Sequence, residues 1–396
     1  LTIQIEGHCE PRFAQVRERF AASFEKYREI GAAIAFVLDG ELVVDLWAGH
    51  RDGARQLAWE RDTIVNTYST TKGMTAICAH QLVERGQLDL DAPVAEYWPE
   101  FAQAGKQDLP VRWLLTHEAG LPAVRKSLPE AMLYDWGAMA DALAAQEPWW
   151  KPGSQHGYHP VSFGFLVGEL IRRVSGRSLG NFFREEVAEP LQASFHIGLS
   201  SDSHPNVADM IGDLIPRRRG SEDTRVRLKG PLAEFVRDMA DPTTLVGAAF
   251  NNPRIAPGAV NSRAWRRAEI PAANGHGSAR ALALIYGALA RGGELGGVRI
   301  LEEPTIRRAR TEQTSGPDAT LGGMPIRYGL GFMLRSPFMP FSPSPEAFGH
   351  PGAGGSIGMA DPEARVGFGF VMNKMGMGLA GGATGYSAVK AFFEAL

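Results

Sequence analysis

The two ends of this chain share one texture and its middle has another, so a single unbroken architecture from start to finish is excluded. From Pro11 to Arg28, Phe13, Val16, Phe20 and Phe24 recur every three or four positions, a spacing that gathers them on one face of a helix able to cover a sheet. Two apolar runs follow, Ala32 to Leu38 and Leu42 to Trp47, with Asp39-Gly40 between them. That pair supports positive φ and predicts a hairpin. The far end repeats the pattern: Tyr328 to Leu334, Ile357 to Asp361 and Val366 to Asn373 read as strands, and Tyr386 to Leu396 as a closing helix. Between roughly Thr71 and Arg267, helical periods at Thr75 to Arg85 and Phe163 to Val174 alternate with irregular loops containing Pro and Gly. The expectation is an α/β (α+β) domain built discontinuously from residues 1–65 and 270–396. A mostly helical domain, residues 66–269, is inserted into it, with any site at the interface.

With 396 residues, 44% of them hydrophobic, the chain has apolar material for two cores. A net charge of -3 offers no overall positive field for nucleic acid or anionic lipid, and a neutral small molecule is the better-fitting partner. The most basic stretch, Arg217-Arg218-Arg219 through Lys229, lies among Gly220, Ser221, Glu222 and Asp223 and reads as a solvated loop. Only Cys9 and Cys78 are present, so neither a disulfide framework nor a CxxC or zinc pattern is expected. No run approaches the roughly 18 apolar residues of a membrane helix. The opening LTIQIEGHCEPRF lacks the basic-then-apolar pattern of a secretion signal, which makes the cytoplasm the expected compartment. The sequence begins without Met, which leaves open a segment removed earlier.

Chemistry concentrates at Ser69-Thr70-Thr71-Lys72. On a helix, residues three apart share a face, and a serine hydroxyl is a poor nucleophile until a neighbour takes its proton. A second Ser-x-x-Lys occurs at Ser387-Ala388-Val389-Lys390, so the letters alone do not choose. The second pair sits in the short terminal helix, where a lysine is most simply a solvated side chain. The first follows an extended segment, Thr63 to Tyr68, and opens a long apolar helix, which would put the seryl oxygen at a helix N-terminus. Only 8 of the 41 basic residues are Lys, and a desolvated Lys can give up its proton where Arg cannot. Tyr158 ends a turn-rich run from Lys151. With a cation beside it, its phenol would have its pKa lowered enough to act as acid or base. His350-Pro351-Gly352-Ala353-Gly354-Gly355-Ser356, just before a strand, is either a tight turn or a place where backbone N–H groups approach a ligand.

Ser69-Thr70-Thr71-Lys72, Leu114 to Pro122, the Pro-Gly loop ending in Tyr158 and the late His-Pro-Gly segment stand in the order found in serine β-lactamase-related proteins. The chain most resembles the family VIII carboxylesterases, relatives of class C β-lactamases. The resemblance implies the serine β-lactamase-like fold, an antiparallel sheet flanked by helices. It makes Ser69 the acylated nucleophile, with Lys72 and Tyr158 as its proton-transfer system; Lys72, Tyr158 or both take the proton. It puts the N–H groups of Ser69 and Ala353 around the oxyanion and His350 and Gly352 against the substrate, with no cofactor or metal. Two departures point to neutral esters over charged β-lactams: Tyr158-His159-Pro160 lacks the Asn of Tyr-x-Asn, and His350 replaces the Lys of Lys-Thr-Gly. The alternatives are a β-lactamase or D-amino acid peptidase, an acyltransferase using the same site, and a silent binding protein.

Competing constellations weaken on inspection. Gly354-Gly355-Ser356-Ile357-Gly358 matches a nucleophile elbow, but no histidine follows Ser356 to complete a triad in that order. His156 and His159 lack an obvious third ligand, and His117-Glu118 lacks a second His four residues after the first. His276 reads as a loop residue before a helix, Ala279 to Ala290, capped by Ser278. Tyr134, Trp136, Trp149, Trp150 and Phe250 could line a pocket but read more simply as packing.

Overall fold

The run Val366-Gly-Phe-Gly-Phe-Val-Met372 sorts large and absent side chains onto opposite faces of a strand, and this sorting organises the centre of the molecule. The computed structural model describes residues 3–200, 206–212, 231–376 and 381–396. In it, Phe368 lies opposite Phe36 of the neighbouring strand, with ring centroids 4.5 Å apart, and Phe36 stacks on Phe392 of the terminal helix at 4.1 Å. Phe392 in turn stacks on Phe13 at 4.3 Å, so the first and last helices, Ala14–Lys26 and Ala383–Glu394, cover this face together. On the other face, a Cβ at Gly367 would meet Gly287 N at 2.1 Å, and one at Gly369 would meet Ala279 O at 2.1 Å. The missing side chains let the helix Ala279–Ala290 lie directly on the sheet.

The sheet has nine antiparallel strands, in the order Ile5–Cys9, Glu41–Gly49, Gly31–Leu38, Val366–Met372, Ile357–Asp361, Phe348–Pro351, Met333–Leu334, Pro325–Tyr328 and Thr314–Pro317. Both chain ends contribute, and the Asp39-Gly40 hairpin joins its two strands as expected. Three local expectations need correction. The run Tyr328 to Leu334 is a tight hairpin with Tyr328 opposite Met333, because Gly331 takes φ +86° and turns the chain. His350 and Pro351 lie inside a strand, paired with Gly358 and Ile357, rather than in a turn before one. His276 belongs to a short strand, Gly275–Gly277, that pairs with Val65–Asn66.

The helices Thr71–Glu84 and Ser162–Ser175 pack against each other, buried from Thr71 to Leu82 in the first and from Ser162 to Ile171 in the second. Ser278 caps the helix after it by accepting from Ala281 N, as its position predicts. Cys9 and Cys78 are free thiols. Among the described residues no helix is long and apolar enough to cross a membrane. The basic stretch Arg217 to Lys229 lies outside the described residues.

Candidate active site

The segment before Ser69 is held from two sides. Thr67 N donates to Gly275 O at 2.7 Å, and Thr71 Oγ1 accepts from Gly275 N at 2.9 Å, which ties the elbow to the short strand behind it. Tyr68 takes φ +47°, a strained conformation for a tyrosine, and the chain turns sharply there into the helix. The helix proper begins at Thr71, two residues after Ser69, yet Lys72 N donates to Ser69 O at 2.9 Å, so the i to i+3 relation holds across this first turn.

Lys72 is fully buried, and its Nζ donates to Pro160 O at 2.7 Å and Ala272 O at 3.0 Å while standing 3.3 Å from Ser69 Oγ. Burial drives its pKa well below the usual lysine range, towards the neutral amine. A neutral amine has two N–H groups and one lone pair. Two carbonyls take the N–H groups and the serine faces what remains. Pro160, standing where the related pattern has Asn, thus contributes its carbonyl.

Tyr158 is buried beside this pair, with Lys72 Nζ 4.6 Å from its ring centroid. The expected lowering of its pKa is reversed. Desolvation raises it, the Asp318 charge raises it further, and a hydrogen bond with Ser69 opposes them. Desolvation of the phenolate is the largest of these effects, so burial favours the protonated phenol.

Three histidines around the pair are also held neutral, chiefly by desolvation. His159 Nε2 accepts from Leu121 N at 3.0 Å and its Nδ1 donates to Gly157 O at 2.6 Å, with a pKa lowered to about 3. His117 Nδ1 accepts from His159 N at 3.2 Å, and its pKa lies well below the ordinary value. His350 Nδ1 donates to Pro351 O at 2.7 Å, and its pKa is lowered to about 3. Its ring centroid lies 5.9 Å from that of Tyr158.

The strand end carrying Gly352 is stapled to the serine elbow. Ser356 Oγ donates to Thr67 O at 2.7 Å and lies 3.0 Å from Thr70 Oγ1, which absorbs the residue of the false elbow motif into a strut. A Cβ at Gly352 would meet Thr67 O at 2.1 Å, so only glycine allows this approach. Among the described residues, the N–H groups of Ser69 and Ala353 have no protein acceptor.

Elsewhere the candidates separate. Lys390 is exposed, paired with Glu394 at 3.7 Å, and has no part in this cluster. His156 is spent on Thr314 Oγ1 at 2.8 Å and Gly316 O at 3.2 Å. Trp136 donates to Glu169 at 2.6 Å and Tyr134 to Glu130 at 2.9 Å, Trp149 donates to Ala123 O at 2.8 Å, and Phe250 packs on Phe235. Trp150 alone of the five backs the Tyr158 loop, against Gly157 and His159.

Comparison with known proteins agrees with this architecture. The family model for Beta-lactamase matches residues 16–390. The "Esterase/beta-lactamase LipL" of Mycobacterium tuberculosis is 38% identical over 379 residues, spanning 94% of this chain and 83% of that protein. A solved family VIII carboxylesterase superposes with a TM-score of 0.89 at 41% identity, covering 100% of both chains. A penicillin-binding protein homologue from Caulobacter crescentus gives 0.87 at 39%, covering 99% of this chain and 100% of that one. The fold is therefore of the serine β-lactamase-like class. The chain belongs to the Beta-lactamase family.

Proposed function

We propose that the protein is a serine carboxylesterase that hydrolyses small, short-chain carboxylic esters through an acyl-enzyme on Ser69. The observation that carries this reading is the fully buried Lys72, its two N–H groups engaged by carbonyls and its Nζ facing Ser69 Oγ at 3.3 Å. Similarity to a family VIII carboxylesterase and to an esterase/β-lactamase supports the same activity.

Ser69 Oγ attacks the ester carbonyl carbon while its proton passes to the Lys72 amine. The carbonyl oxygen becomes an oxyanion between the N–H groups of Ser69 and Ala353. Collapse breaks the bond to the alkoxide, which takes a proton from Tyr158, and the Lys72 ammonium returns one to the phenol. Water then attacks the acyl carbon, gives its proton to Lys72, and Ser69 leaves reprotonated. Neutral His350 sets the preference for esters, because it offers no cation to the carboxylate of a β-lactam. Turnover of p-nitrophenyl acetate and butyrate by wild type but not by Ser69→Ala is the expected result. Equal turnover by the variant overturns the reading, and nitrocefin turnover matching ester turnover replaces it with β-lactam hydrolysis.

A further inference from the structure

Tyr158 sits in a stretch without helix or strand, so something else must fix its phenol against Ser69. The loop after the edge strand Thr314–Pro317 does this by closing on the tyrosine backbone. Tyr158 N donates to both carboxylate oxygens of Asp318, at 3.0 and 2.9 Å, and Thr320 Oγ1 donates to Tyr158 O at 2.7 Å. Between these two residues of the loop, Ala319 N donates to His156 O at 3.2 Å, so three successive loop residues hold the tyrosine segment. Asp318 is itself fully buried, and it also accepts from Thr320 N at 2.9 Å, Thr320 Oγ1 at 3.0 Å, Leu321 N at 2.9 Å and the Tyr328 phenol at 2.9 Å. Five donor groups surround this carboxylate with no cation among them, the Thr320 hydroxyl sharing its one hydrogen between Asp318 Oδ1 and, at the shorter distance, Tyr158 O. Such a group costs free energy to bury, and of its donors one is the Tyr158 N–H, three belong to its own loop at Thr320 and Leu321, and the last is the Tyr328 phenol of the neighbouring strand.

We infer that Asp318 and Thr320 are positioning residues for the reaction, gripping Tyr158 by its N–H and its carbonyl so that the phenol is held at Ser69. Neither residue touches the reacting atoms. This inference rests on Tyr158 being the proton relay of the proposed esterase. It goes beyond that reading by assigning a function to a loop some 160 positions away in sequence.

A double-mutant cycle in the full chain tests it, because a residue that acts only through Tyr158 has nothing to lose once the phenol is gone. With p-nitrophenyl butyrate, Asp318→Ala should lower kcat roughly 10- to 100-fold, the scale of a misplaced catalytic group, with KM within about threefold. Thr320→Val should lower it by about three- to tenfold. In a Tyr158→Phe background neither change should lower kcat by more than about twofold. Where Asp318→Ala does not fold, as judged by its thermal transition, Thr320→Val carries the same cycle. Losses that simply multiply when either change is combined with Tyr158→Phe, or an Asp318→Ala enzyme within about threefold of wild type, overturn the inference alone. Wild-type turnover by Tyr158→Phe overturns it together with the assignment of Tyr158.

Discussion

Gly352→Ala is the sharpest test of how the segment after the strand Phe348–Pro351 is set against Ser69, the proposed nucleophile. Gly352 has φ -117° and ψ 153°, which alanine adopts freely, so the substitution carries no backbone penalty. Its cost is steric. The new methyl would stand 2.1 Å from Ser356 Oγ and 2.1 Å from Thr67 O, where ordinary contact begins at 3.4 Å, so strand and elbow must part by about 1 Å. Overpacking of this kind costs about 1–3 kcal/mol of stability, and a 1 Å misplacement of reacting groups costs roughly 100-fold in rate, about 2.7 kcal/mol. The expected outcome is a kcat for p-nitrophenyl butyrate lowered about 100-fold, with a Tm reduced by a few degrees. Adding Ser356→Ala should not restore it, because that removes the hydroxyl and leaves the Thr67 carbonyl, a backbone atom, in place. A kcat within about threefold of wild type would refute the idea that this approach sets the geometry of attack.

Two further outcomes follow from the buried groups. Lys72→Met keeps the buried volume but removes the amine, so kcat/KM should fall about 10²- to 10⁴-fold; a loss under tenfold would remove Lys72 from the proton path. His80, buried in the helix Thr71–Glu84 with its Nε2 2.9 Å from Leu330 O, has a pKa lowered to about 4. With His159 and His350, each lowered to about 3, and His117, lowered well below its usual value, it stays neutral in the folded chain while the unfolded chain protonates near 6.5. Their contribution to stability is therefore complete above about pH 7 and lost as the pH falls from about 6.5 towards 3–4, with a slope of up to about 5 kcal/mol per pH unit. Thermal unfolding followed by circular dichroism from pH 7 to 4.5 should show a steep drop in Tm; a flat Tm would contradict the buried neutral histidines.

What could be read from the sequence was what is local. The i to i+3 spacing of Ser69 and Lys72, the Asp39-Gly40 turn and the alternation of Val366 to Met372 each depend on a few neighbouring residues, and each has its counterpart in the structure. The parts that escaped are those in which the chemistry belongs to the backbone or to distant chain. Lys72 is engaged by the carbonyls of Pro160 and Ala272, groups every residue possesses, so no side-chain pattern marks them. Asp318 lies in an unremarked loop, and only the folded chain brings it to Tyr158. The sign of the Tyr158 shift failed for a related reason. The sequence set a cation beside the phenol, but burial, which only the fold determines, raises the phenol by desolvation and lowers the lysine by the same cause. The two shifts run in opposite directions, which is the basis for the division of roles proposed for Lys72 and Tyr158. A lysine whose pKa is lowered offers a lone pair for the Ser69 proton more readily. A phenol that stays protonated can only pass one on and be refilled, which is why the grip on its backbone matters more than any charge beside it.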